Sequence, residues 1–474
     1  MRILLVKGAS LNREVPQFSY PLGLMYLAAY LRQRQPGHDQ RIIDLRCERH
    51  PFESLAAVLE DFDPDMVAVS ALTAEAASLH ETARIAKARR MDTVVVVGGP
   101  HISACTDDVA GNTNIDVMVI GEGEETYCAI VSACAAGNGV PAGIRGTGLR
   151  AHGRVEWAPP RPPLEDLGEL PFPAWDLVSV ERYARLGRAG NLRRGRFLPV
   201  FTSRGCPYQC FYCHNLFGKS FRARPTENVV EEVRRIHEAY GITDIEIYDD
   251  IFNMDLARAK AICRGLIDLD LRLKLAFPNG VRVDRLDREL VALLAQAGTT
   301  NLAIAIETAS PRLQKVIHKH LDLERAKEAI SWLDEEGIVT NGYFMLGFPG
   351  ETRDEIESTI TYAVETDLHF ASFFIVTPYP GTPLWEQTMR ERGSSSLDFR
   401  EYNYLSGYFN LSAVSGEELR RLQREAYRRF YARKLPKIIA TLPRLRIDWR
   451  NAAWIWLRRM LDRGGLNRTQ VIAP

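Results

Sequence analysis

Short apolar runs alternate with longer amphipathic stretches along most of this chain, and that rhythm restricts the fold more than any other feature of the sequence. The runs ILLV (3–6), RIID (41–44), MVAVS (66–70), TVVVV (93–97) and DVMVI (116–120) read as buried strands. Between them GLMYLAAYLRQ, FESLAAVLEDF and AASLHETARIAKA carry helical spacing. Strands and helices alternating at this interval predict an α/β fold, with a doubly wound, Rossmann-like parallel sheet over residues 1–150. Ligands of such sheets bind outside the carboxyl ends of the strands. Those ends carry SALT (70–73), GGPH (98–101) and GEGE (121–124), where glycine allows close backbone approach or simply makes a turn.

The rhythm is interrupted once and then resumes. EWAPPRPPLEDLGELPFPAW (156–175) is dense in proline, which removes backbone donors and disfavours helix before it, so residues 151–195 are expected to be a linker. Over residues 196–395 the strands PVFTS, DIEIYDD, KLAFP, NLAIAIE, VTNGYFML and FASFFIVTP alternate with helical patterns, which predicts six units of a partial, TIM-like β/α barrel. A helical region is expected over 396–474.

Composition narrows the function. With 60 Lys and Arg balancing 60 Asp and Glu, the 474-residue chain has no net field to recruit nucleic acid. The apolar run near the N-terminus is too short for a signal peptide, and no apolar stretch approaches the length of a membrane span, so a cytoplasmic location is expected. The charge is uneven, however: 15 Lys and Arg against 5 Asp and Glu follow Gly416. There EELRRLQREAYRRFYARKL is followed, after a proline break, by WRNAAWIWLRRML with Trp449, Trp454 and Trp456. These helices either pack on the barrel with a solvated basic face or make a peripheral contact with an anionic membrane.

Eight cysteines in so long a chain do not form a secreted disulfide framework, and three of them are clustered in SRGCPYQCFYCHN (203–215). Small buried hydrophobes are a poor reading of Cys206, Cys210 and Cys213, which follow a strand among Gly205, Pro207 and polar residues. A zinc site could add His214, although no second Cys-x-x-Cys pair is present. A four-iron cluster on three thiolates would leave one iron open to a small molecule.

Cys-x3-Cys-x2-Cys after the first strand of a β/α barrel, with Tyr212 before the last cysteine, resembles the radical S-adenosylmethionine (SAM) superfamily. The resemblance implies a [4Fe–4S] cluster on Cys206, Cys210 and Cys213 whose open iron binds the amino and carboxylate groups of SAM, with Tyr212 near the adenine. It continues through IEIYDDIFNMD (245–255), NGVRVDRLD (279–287), AGTTNLAIAIETAS (297–310) and GYFMLGFPGET (342–352). Those segments imply Asp249 or Asp250 for the SAM ammonium, Arg282 for its carboxylate and Glu307 for its ribose. Read without the resemblance, the acidic pair would cap a helix, Glu307 would make an ion pair and GFPGET would be a turn plus an N-cap.

YPLGLMYLAAYLR (20–32), IIDLR (42–46), VVVGGPH (95–101) and IGEGEET (120–126) in front of that barrel resemble the cobalamin-binding class of the superfamily. The class implies cobalamin over the strand ends, near Ser70, Thr73, Gly98, Gly99, Gly121, Glu122 and Gly123. The Asp-x-His-x-x-Gly motif that supplies histidine to cobalt in many cobalamin proteins is absent, and His101 is not assigned to cobalt. The implied reaction is methylation of an unactivated carbon in a small molecule, one SAM supplying the radical and a second restoring the methyl group. A flavodoxin- or ferredoxin-like donor is expected to reduce the cluster. A radical SAM dehydratase, deoxygenase or cyclase is the alternative, and a structural or sensing cluster a third.

Overall fold

In the computed structural model, which describes residues 1–10, 19–137, 139–186, 195–392, 399 and 409–441, the five N-terminal runs are strands β1 (Arg2–Lys7), β2 (Asp39–Asp44), β3 (Met66–Ser70), β4 (Val94–Gly98) and β5 (Val117–Val119). They pair in parallel in the order β2-β1-β3-β4-β5. Both faces are covered, as an all-parallel sheet requires. Ile3 and Leu5 of β1 join the core formed with Leu24, Ala28 and Leu31 of helix Leu22–Arg34. Leu4 and Val6 face the opposite core, with Leu55, Leu59, Leu79 and Ala83 from helices Pro51–Phe62 and Ala76–Arg89. An apolar residue on either face leaves register poorly specified by alternation. Polar strand ends supply it: the Arg2 amide donates to Asp65 at 2.8 Å, and Lys7 at the other end of β1 pairs with Glu75.

Residues 147–157 add a feature the sequence analysis did not assign. They form β6 (Thr147–Ala151) and β7 (Arg154–Trp157), a hairpin antiparallel to β5. The first residues of the stretch expected to be linker therefore belong to this sheet. Its polar residues Arg150, Arg154 and Glu156 concealed the strands, because at a sheet edge only a short alternation needs to be apolar. The compact unit built on this sheet comprises the described residues of Met1–Leu186, His214–Gly218 and Tyr379–Tyr402.

The second unit holds the described residues of Gly187–Cys213, Lys219–Pro378 and Asn403–Pro474. Its strands are β8 (Leu198–Val200), a small antiparallel pair β9 (Ser203–Arg204) and β10 (Arg222–Ala223), then β11 (Asp244–Ile247), β12 (Lys274–Val281), β13 (Thr299–Glu307), β14 (Val339–Leu346) and β15 (Phe370–Ile375). Six of them form one parallel sheet in the order β8-β11-β12-β13-β14-β15, with helices in the crossovers. The helices begin at side-chain caps that the sequence supplies: Asp255, Asp287, Ser310, Asp322 and Thr352. Leu302, Ile304, Ile306, Phe344, Leu346 and Phe373 are buried on one face of the strands. The other face carries Ala276, Asn301, Ala303, Ala305, Asn341 and Tyr343. Three alanines there replace the bulky branched residues that fill a closed TIM barrel.

Helix Gly416–Thr441 lays Leu419, Leu422, Ala426 and Phe430 against this unit, at helical spacing. It runs through Pro436, where the sequence reading placed a break. An interior proline costs a helix about 3 kcal/mol. Here Lys434 and Lys437 on either side donate to the carbonyls of Thr366 and Asp367, at 2.6 and 2.5 Å, and hold the turn in place. Trp449, Trp454 and Trp456 lie outside the described residues. Among the described residues no helix is long and apolar enough to cross a membrane.

Candidate cofactor sites at the strand ends

The cysteine loop leaves β9 through Gly205, whose φ of 83° is one that side chains disfavour. Its amide donates to Asp250 at 3.2 Å. Cys206, Cys210 and Cys213 are free and partly exposed. Burial raises the Cys206 thiol and pushes that of Cys213 up to about 12, with the charge of Cys210 adding to both. A bound cation would reverse that balance. Among the described residues no three His, Cys, Asp or Glu side chains converge where one metal ion could sit. A zinc ion requires such convergence, whereas a cuboidal cluster takes each thiolate on a different iron. His214, the fourth ligand in the zinc reading, is exposed and accepts from the Leu216 amide at 3.4 Å. The thiol set therefore fits a cluster better than a single ion.

The two acidic residues after β11 divide their work. Asp249 is buried, and its carboxylate accepts from the Thr202 amide and from the hydroxyls of Thr202 and Ser203. Burial raises its carboxyl, and these donors oppose the shift. Asp249 is thus spent on fixing the chain just before the cysteine loop. Asp250 is partly exposed, with the Gly205 amide on Oδ2. Neither caps a helix, since that role falls to Asp255.

Arg282 also differs from expectation. Its guanidinium grips both oxygens of Asp284, at 2.8 and 3.1 Å, donates to the His320 carbonyl at 3.0 Å and stacks 4.1 Å from the Tyr208 ring. The fork that would meet a SAM carboxylate is taken up by Asp284, and Arg282 braces the cysteine loop through Tyr208.

Tyr212 and Glu307 are brought together. The Tyr212 hydroxyl donates to Glu307 Oε1 at 3.0 Å, and Lys319 Nζ lies 2.8 Å from the same oxygen. Burial and the Glu307 charge hold the phenol well above its ordinary range, so it remains a donor. Its ring meets Phe348 of GFPGET edge-on, with centroids 5.7 Å apart. In that motif Glu351 turns back to accept from the Gly347 and Phe348 amides, and Thr352 with Glu355 forms a capping box. The sequence offered no sign of Lys319 or of the buried Glu351: an isolated Lys in IHKHL reads as a solvated charge.

In the first unit the strand order reverses between β1 and β3, and sheets of this topology take ligands at that point. Lys7, Ser70 and Gly98 lie in register across it. Gly99 has φ 103°, and a Cβ there would stand 2.9 Å from Ser70 Oγ and 3.3 Å from the Ala71 carbonyl. Gly121, φ 79°, would carry a Cβ into open space. Close packing and positive φ thus require glycine at 99, while the open space at Gly121 leaves room for a ligand on the strand ends. Thr73 is buried in a short turn next to these ends. Gly123 and Glu122 are accounted for by packing: a Cβ at Gly123 would press on Leu27 at 3.2 Å, and Glu122 Oε2 accepts from the Leu164 amide at 3.1 Å. His101 is fully buried, its Nε2 held at 2.9 Å by an Asp108 carboxylate that His80 shares. The two imidazoles keep that carboxyl well below the usual range.

The comparisons identify both domains. Residues 9–131 match the B12 binding domain and residues 200–363 the radical SAM superfamily. An uncharacterised methyltransferase of Pyrococcus horikoshii is 34% identical over 450 residues, spanning 93% of this chain and 94% of that one. The cytidylyl-2-hydroxyethylphosphonate methyltransferase of Streptomyces wedmorensis is 28% identical over 91% of this chain and 90% of its own length. The radical SAM methyltransferase TsrM of Kitasatospora setae, solved with cobalamin and a [4Fe–4S] cluster, shares the fold with a TM-score of 0.68 at 21% identity, over 82% of this chain and 78% of that one. It has also been solved with tryptophan substrate and a SAM analog.

Proposed function

The chain belongs to the radical SAM enzymes that carry a B12-binding domain, and on that premise we propose that it is a cobalamin-dependent methyltransferase acting on an unactivated carbon of a small molecule. When bound, the [4Fe–4S] cluster and SAM supply a 5′-deoxyadenosyl radical, and cobalamin carries the methyl group. The protein's part is to hold, orient and keep dry. Cys206, Cys210 and Cys213 hold the cluster, on a loop that Asp249 fixes at its start and Arg282 braces through Tyr208. Asp250 accepts the SAM ammonium, a charge-assisted bond open to its partly exposed carboxylate. Tyr212 and Phe348 flank the adenine, and Glu307 accepts from the ribose. Ser70, Gly98, Gly99 and Gly121 cradle the corrinoid. The alanine-lined strand face, with Asn341 and Tyr343 at its side, admits the substrate.

The observation that carries this reading is the joining of the cysteine loop, through Tyr212, to the carboxylate at the end of β13. A flavodoxin- or ferredoxin-like protein in a reducing cytoplasm would supply the electron. The test is cofactor analysis of protein reconstituted without oxygen, followed by product analysis in substrate screens. Stoichiometric cobalamin, a four-iron cluster lost in the Cys206→Ala, Cys210→Ala, Cys213→Ala variant, and a methylated product formed with equal amounts of S-adenosylhomocysteine and 5′-deoxyadenosine are expected. A cluster without cobalamin, or deoxyadenosine without methyl transfer, would overturn it.

A further inference from the structure

Residues 317–319 touch the cysteine loop directly, and His320 reaches it through Arg282. The Ile317 carbonyl accepts from the Phe211 amide at 3.2 Å. Cys210 Sγ lies 3.9 Å from the His318 carbonyl. Lys319 Nζ meets Glu307 at 2.8 Å and the Tyr212 hydroxyl at 3.5 Å. The His320 carbonyl takes the Arg282 guanidinium that lies over Tyr208. The segment is itself locked from behind, because the amides of Lys319 and His320 both donate to the Gln314 carbonyl and the Gln314 side chain ties Leu321 to Ile306 and Thr308.

Backbone strain is concentrated at this corner. Glu307, His318 and His320 have φ of 68°, 54° and 49°, three of the seven non-glycine residues at positive φ among the described residues. Histidine tolerates that region better than most residues, but glutamate does not. Strain of this kind persists only where the surroundings impose it, and it gathers where a site is preorganised. The same contacts that impose it fix the direction of one carboxylate. Oε1 of Glu307 receives both Tyr212 and Lys319, which leaves Oε2 without a described partner.

We propose that Ile317–His320 is a strap that sets the cysteine loop before SAM binds, and that Lys319 is a positioning residue that keeps Glu307 turned so that Oε2 faces the ribose. This rests on the reading of Glu307 as the ribose acceptor. Lys319 acts through Glu307 rather than on SAM directly, so its loss should add nothing once Glu307 has been neutralised.

The experiment uses the full-length chain, reconstituted anaerobically, as Lys319→Met, Lys319→Arg, Glu307→Gln and the Lys319→Met, Glu307→Gln pair. Iron and sulfide content, SAM affinity by equilibrium dialysis, and the change that SAM makes in the electron paramagnetic resonance spectrum of the reduced cluster are measured. Lys319→Met should keep its cluster and lose about tenfold to a hundredfold in SAM affinity, as expected when a buried charge-assisted bond is broken. Lys319→Arg should recover most of it, and the double variant should bind SAM no more weakly than Glu307→Gln alone. Unchanged affinity in Lys319→Met overturns the assignment, as do additive losses, which would put Lys319 on SAM itself. Loss of the cluster in Lys319→Met but not in Glu307→Gln overturns it too. Normal SAM binding by Glu307→Gln would remove the ribose reading beneath it, and a wild type that binds no SAM would sink the enzymatic reading instead.

Discussion

Asp249 and Asp250 stand side by side in the sequence, yet the fold gives them different tasks. Removing the Asp249 carboxylate strands the Thr202 amide and two hydroxyls in a buried place, and each unsatisfied group costs about 1–3 kcal/mol. Asp249→Ala should therefore destabilise the second unit by about 3 kcal/mol and cut cluster incorporation, seen as a lower melting temperature and less iron per chain. Asp250→Asn should leave both unchanged while SAM affinity falls about tenfold or more, as for loss of a charge-assisted bond. The reverse pattern would exchange the two roles. The sequence made an acidic pair legible here but not its division, because a string of residues records charge and spacing, not which carboxylate the preceding strand consumes. The surroundings of Arg282 were hidden for the same reason: Asp284, two residues on, engages the guanidinium fork.

At the level of elements, the strand and helix rhythm was readable because the first sheet is covered on both faces and the strands of the second alternate buried with half-buried residues, as along β14 and β15. β3 and β14 coincide with the segments expected from sequence, Met66–Ser70 and Val339–Leu346. The edge hairpin β6–β7, the strap and the helix through Pro436 escaped, since polar edges, single charges and proline carry no periodic signal. The GFPGET turn adds an element with a pH dependence of its own. Glu351 is fully buried, and burial raises its carboxyl to about 8 from an ordinary 4.5. The folded chain thus keeps a proton that the unfolded chain releases at lower pH. Stability from this group is fully present below the unfolded value and is lost as pH rises through the folded one. Wild type should lose on the order of 1–3 kcal/mol between about pH 5 and 8 that Glu351→Gln does not. Melting temperatures of the two across that range check it: parallel curves would mean that the carboxylate stays ionised in its two amide contacts.

For the whole molecule, the two cofactor readings draw on separate parts of the chain. The B12-binding match ends at residue 131 and the radical SAM match begins at residue 200. The glycine cradle belongs to one unit and the three cysteines to the other. Each unit has its own sheet and its own buried core, the condition for a domain to hold its ligand site without help from the next. Losses should therefore not cross over. The triple cysteine variant should take up hydroxocobalamin with an affinity within about threefold of wild type, since the two sites are built from different units and have no residue in common. Gly99→Ala should do the opposite. At φ 103° a side chain is strained, and its Cβ would stand 2.9 Å from Ser70 Oγ, so the strand end would have to shift. Corrinoid uptake should fall about tenfold or more, roughly the effect of 1.4 kcal/mol or more of lost binding energy, with iron and sulfide unchanged. Visible-spectrum titrations with hydroxocobalamin beside iron analysis on both variants measure the two uptakes separately. If the cysteine variant failed to bind corrinoid, or Gly99→Ala to build the cluster, the two halves would have to be treated as one cofactor-binding body.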